Sequence, residues 1–166
     1  MRTVVIQPIF EAWRACAREL LALRVPPSEV LWADDAQEPS LFGASNEELP
    51  RFAVPNVPSA FLDMARSVAA HTDARRWSVL YRVLWRLTHG DERNLLAIST
   101  DPDMRQVQQW CKAIGRDIHK MHAFVRFRLV GNEESTGREQ FVAWFEPEYR
   151  IVRLATGFFE KRFVGM

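Results

Sequence analysis

The chain has little of what most functional signatures require. Among its 166 residues are two cysteines, Cys16 and Cys111, and three lysines, Lys112, Lys120 and Lys161. No apolar run approaches the roughly 18 to 20 residues of a membrane helix, and the start "MRTVVIQPIF" lacks the charged-then-apolar layout of a signal peptide. A cytoplasmic protein without a membrane partner is therefore expected. Two cysteines, each inside an amphipathic helical pattern, build neither a disulfide framework nor an iron–sulfur cluster, so buried free thiols are expected. Phosphate-loop glycines, a nucleophile elbow and Cys-His zinc spacings are all missing, and no cofactor is expected.

What is present is a 48% hydrophobic, 26% charged composition, enough for one globular core. The formal net charge of +1 conceals an uneven distribution. Residues 1–50 hold four Arg against eight Asp and Glu, and the remainder is basic. Nineteen of the 22 basic residues are Arg, the side chain suited to phosphate forks and base stacking, although GC-rich coding would produce the same bias.

The periodicity predicts a strand over Thr3–Gln7, a helix over Ile9–Leu23 opened by Pro8, and a second short strand at Val30–Trp32. Residues 34–58, with Pro39, Pro50, Pro55, Pro58 and several acids, read as a long acidic loop. Helices follow from Ser59 to about Val68 and from Ala74 to Thr88, with Asp73 placed to cap the second. A short helix at Leu95–Ile98 precedes a long one that "STDPDM" opens and that ends near Met121. The segments "AFVRFRLV" and "QFVAWFEP" predict a β-hairpin, and "RIVRLATGFFEKRF" a final strand or helix. This order describes a single α+β domain over 1–166, a small antiparallel sheet with a β-hairpin packed against several α-helices.

Two helical stripes carry the charge. At 100° per residue, Arg75, Arg82, Arg86 and His89 fall on one face opposite Trp77, Leu80, Tyr81 and Leu84. The same spacing recurs with Arg105, Lys112, Arg116 and His119 opposite Val107, Trp110, Ile114 and Ile118. Neither stripe contains the acids that usually pair with exposed helical cations. In the hairpin, Val125, Phe127 and Leu129 are expected to face the core with Phe141, Ala143 and Phe145, leaving Arg126, Arg128 and Trp144 outward. These residues fit either a solvated surface or a nucleic-acid surface made of Arg82, Arg86, His89, Lys112, Arg116, His119, Lys120, Arg126 and Arg128, with Trp144 as a base-stacking platform. His119, His122, Asp117 and Glu146 are the candidates for catalysis, but Arg116 and Lys120 oppose a metal at His119-x-x-His122.

The runs "SLFG", "RWSVLYRVLWRLTHG", "DIHKMHAFVRFR", "FVAWFEPEYRI" and "FFEKRFVGM", in this order, resemble a bacterial family of DNA metabolism proteins. That family occurs as the partner of a radical SAM protein assigned to DNA repair, and as the N-terminal domain of UdgX-type uracil-DNA glycosylase fusions. The resemblance implies DNA as a partner, with a glycosylase-like domain or radical SAM protein beside it. It brings no established reaction, so activity in this domain alone is not expected. Members continue into another "RWSI"-like stretch where this chain stops at Met166, which suggests the N-terminal part of a longer fusion. Three functions follow: a DNA-repair accessory domain that binds nucleic acid, an enzyme acting on DNA through the His119 group, or an interaction module that docks a repair enzyme through residues 34–58.

Overall fold

The computed structural model describes residues 1–34, 52–53, 56–90, 92, 94–132 and 139–163. Most of the predicted acidic loop, residues 35–51 with 54 and 55, lies outside them. The fold is α+β, and its residues group into two compact units, Met1–Cys111 and Lys112–Met166.

The first unit begins with strand β1 (Arg2–Ile6), helix α1 (Phe10–Ala22) and strand β2 (Val30–Asp34). The two strands pair in parallel, Val4 opposite Trp32, because a helical crossover returns the chain in the same direction. Helices α2 (Ser59–Ala69) and α3 (Arg76–His89) complete the layer, followed by the first part of α4 (Pro102–Phe124). Trp13 sits at the centre of the core. Its ring lies 6.2 Å from Trp77 and nearly parallel to it, with Trp32 at 6.3 Å and Phe61 at 6.4 Å. Trp77 and Trp110 are buried as well, and the Tyr81 hydroxyl donates to the Val25 carbonyl at 2.7 Å. Cys16 and Cys111 are free thiols, and burial pushes both above the usual thiol range.

The caps follow the predicted logic. Asp73 Oδ1 accepts the Arg75 backbone N–H at 2.8 Å ahead of α3, and Asp101 Oδ1 accepts that of Met104 at 3.0 Å ahead of α4. Pro102 occupies the first helical position, where its missing N–H is not needed.

An ion pair between a buried cation and a partly exposed carboxylate is added to this unit. Arg76, fully buried at the start of α3, donates through Nη2 to both carboxylate oxygens of Asp34, at 2.9 and 2.7 Å. Trp77 Nε1 donates to the same carboxylate at 2.6 Å.

The second unit contains the end of α4, the hairpin β3 (Arg128–Asn132) and β4 (Glu139–Val142), and helix α5 (Val152–Arg162). Ile114, Val125, Ile151 and Ala155 are its buried apolar residues. Asp117 is buried among them and accepts the Tyr149 backbone N–H through Oδ2 at 2.9 Å. The hairpin is antiparallel as expected, with a bulge between Leu129 and Gly131, but its burial corrects the sequence reading. Val125 is buried, whereas Phe127, Leu129 and Phe141 are exposed along with Val130 and Val142. Helix α4 runs on through Phe124, so strand alternation begins only at Arg128, and β3 and β4 expose apolar side chains on both faces. The final segment resolves into a helix.

Removing the Asp34 carboxylate takes from the buried Arg76 guanidinium the anion that accepts its Nη2 hydrogen bonds, while Nη1 keeps the Asp73 carbonyl, and losing a hydrogen bond to a charged group of this kind typically costs about 2 kcal/mol. Asp34→Ala is expected to lower the denaturant midpoint by a corresponding amount with an unchanged slope, measured by urea unfolding.

Candidate nucleic-acid interface

The two predicted cationic stripes differ in their surroundings. On α3, Arg82 Nη2 meets Asp103 at 2.7 Å, and Arg86 reaches Glu92 at 2.6 Å and Asp101 at 2.7 Å. The expectation that this face lacks acids is therefore overturned. The carboxylates come from the segments that follow α3 in the chain, and a search along the helix itself does not meet them. Their effect is visible in the protonation equilibria. The hydrogen bonds that Arg86 donates to Glu92 and then to Asp101 hold its guanidinium above its usual range, and the same bonds pull both accepting carboxyls below theirs. His89 lies flat on Trp85, with ring centroids 3.8 Å apart, and burial lowers its pKa.

The C-terminal half of α4 is different. Lys112, Arg116, His119 and Lys120 project from one exposed face around Gly115, lining a shallow depression. Among the described residues, no carboxylate pairs with any of these four. A Cβ added at Gly115 would meet nothing within 4 Å, so the middle of the cationic face is bare backbone open to close approach. Lys112, Arg116 and Lys120 are like charges that no carboxylate pairs among the described residues, and such charges repel one another and are stabilised by an anion.

Beyond the helix, Arg126 Nη1 donates to the carbonyls of Ala123 at 2.7 Å and Val125 at 2.9 Å, which caps the end of α4. Arg126 and Arg128 are both exposed, and Trp144, beyond the end of β4, is 87% exposed.

The candidate catalytic group is dispersed in role. Asp117 is committed to the Tyr149 amide, while His119 and Glu146 are exposed. The His122 ring stacks on Phe158, centroids 4.0 Å apart, and meets Phe159 edge-on. Among the described residues, no three His, Cys, Asp or Glu side chains gather as a metal site. No helix there is long and apolar enough to cross a membrane.

The sequence reading missed the surroundings of His122. Phe127 packs edge-on against Phe159 and Phe163, and these rings line a cavity of about 530 Å³ with His122 and Phe158. Four phenylalanines in "VRFR" and "GFFEKRF" were the available signal, but helical spacing does not distinguish a buried stripe from the wall of a pocket.

Residues 74–166 match the family described as a domain of unknown function, DUF4130. No curated protein and no solved structure matches the chain.

The depressed carboxyls of Asp101 and Glu92 imply stability that is present above the usual carboxylate range and lost as pH falls through the lower folded-state values. Arg86→Gln is expected to melt below the wild type at neutral pH. The difference should close between about pH 5 and pH 2 as the carboxylates protonate, as thermal melts across that range would show.

Proposed function

The chain belongs to the DUF4130 family, and on that premise we propose that it is a nucleic-acid-binding domain whose contact surface is the C-terminal half of α4. One observation carries the proposal: Lys112, Arg116, His119 and Lys120 share an exposed face with no carboxylate partner among the described residues, whereas Arg82 and Arg86 on α3 are already held by acids. A polyphosphate backbone supplies regularly spaced negative charge to such a row, and counterion release supplies the free energy. Arg126, Arg128 and the exposed Trp144 extend the surface toward the hairpin with further charge and a stacking face.

The biological setting comes from the resemblance of the sequence to DNA metabolism proteins. On that basis the domain acts in the cytoplasm as a DNA-repair accessory, holding DNA for a linked or partner enzyme, either a uracil-DNA glycosylase-like domain or a radical SAM protein. Chemistry by this domain itself has less support, since Asp117 accepts a backbone amide and His122 stacks on Phe158 with Phe159 edge-on beside it. A docking role has one observation in its favour, the apolar exposure of Leu129, Val130 and Val142 on the hairpin, and it is compatible with DNA binding on α4.

Fluorescence anisotropy of labelled single-stranded, duplex and uracil-containing oligonucleotides tests the reading. Affinity is expected to fall steeply with salt, with a log–log slope of about −0.9 per phosphate contact on duplex and about −0.7 on single strands. Arg116→Glu should weaken binding at least about tenfold and flatten that slope by roughly one contact. Arg82→Gln should change affinity little, because Asp103 already engages that guanidinium. Unchanged affinity in Arg116→Glu and Lys120→Glu together would overturn the assignment.

A further inference from the structure

The aromatic cavity of the second unit has no part in phosphate binding by α4, yet its chemistry is specific. It opens at the C-terminal end of the same helix: His122, Ala123, Val125 and Arg126 contribute to its lining immediately after Lys120. The other wall comes from α5, with Phe158, Phe159 and Arg162. Its volume of about 530 Å³ lies within the range of small-molecule sites.

Three features define what this cavity accepts. The first is flat apolar surface. Phe158 and Phe127 are 39% and 38% exposed, a large solvent-facing area for aromatic rings, and rings of this kind accept planar guests by offset stacking. The second is charge of one sign. Arg126 and Arg162 line the cavity and, among the described residues, no carboxylate does, so an anionic group attached to the guest is favoured. The third is a polar group without a partner. His122 Nε2 is shielded from solvent and makes no hydrogen bond among the described residues, an arrangement that a guest carrying ring nitrogens or carbonyls can relieve with a small turn of the imidazole.

An aliphatic side chain from a protein partner would use only the first feature. A nucleobase on its phosphate backbone uses all three. Placement agrees with this: at about 1.5 Å of rise per residue, His122 lies roughly 9 Å along α4 from Arg116, so a strand whose phosphates follow the helix face reaches the cavity with a neighbouring nucleotide. We infer that the cavity formed by His122, Phe127, Phe158 and Phe159 is a nucleobase pocket, which receives an unpaired base from a strand held on α4. The inference rests on the phosphate reading of α4 and adds single-stranded or base-extruded nucleic acid as the ligand class. A base paired within a duplex cannot enter, because its faces are covered by its neighbours.

The test compares two labelled strands of equal length and charge, oligothymidylate and a strand built wholly of abasic residues, by anisotropy against the full chain. The base-bearing strand is expected to bind about 5- to 100-fold more tightly, the range set by stacking of one base on aromatic side chains. Phe158→Leu preserves apolar volume at a partly exposed position, and it should lower that ratio at least about fivefold, leaving only what Trp144 contributes, with affinity for the abasic strand unchanged. His122→Gln provides a second variant, expected to reduce the ratio without altering the salt slope. Arg116→Glu, by contrast, should weaken both strands equally. Equal binding of the two strands by the wild type would overturn the pocket and leave the phosphate surface standing, as would a ratio undiminished in both pocket variants. A chain that binds neither strand at low salt would overturn both.

Discussion

The contact between Asp34 and Arg76 sets the orientation of α3. A guanidinium with no solvent exposure must meet a counter-charge in a fixed geometry, and here the last residue of β2 supplies one. Trp77, the next residue along, shares the same carboxylate and stacks over Trp13 in the core. With the first turn of the helix pinned at two successive residues, its rotation about its own axis is fixed. Leu80, Tyr81 and Leu84 then point inward, and Arg82 and Arg86 must point the other way.

Where those arginines emerge, Asp101 and Asp103 are waiting. Asp101 both caps α4 and binds Arg86, so the residue that starts one helix also neutralises the face of another. Charge on the two helices is thus handled in opposite ways, although the sequence stripes have identical spacing. On α3 the cations stiffen the unit. On the far half of α4 no carboxylate among the described residues engages them, so the same spacing of cations leaves two differently charged surfaces.

Much of the architecture was legible from periodicity. The helices begin at the predicted Pro and Asp signals, the first two strands fall within a residue or two of expectation, and the tryptophans Trp13, Trp77 and Trp110 are buried as their positions on the apolar stripes require. Two features were not legible, for one shared reason. The acids that meet Arg82 and Arg86 are far enough along the chain that no i,i+4 rule finds them. The ring cluster around His122 likewise joins residues about 36 positions apart. Alternation misjudged Phe127 and Leu129 because it presumes a strand with one covered face, and α4 delays the strand until Arg128.

The bulge at Leu129–Gly131 has a consequence for how the chain behaves among copies of itself. A two-stranded ribbon with Leu129, Val130, Phe141 and Val142 in contact with water is a natural template for sheet-to-sheet growth. The extra residue twists one strand and interrupts its ladder of amides, so an incoming strand cannot pair in continuous register. Strands of only five and four residues, begun by a charged Arg128, limit the template further. The irregularity thereby makes this ribbon a poorer template for a further strand than a regular ribbon with the same exposed apolar side chains.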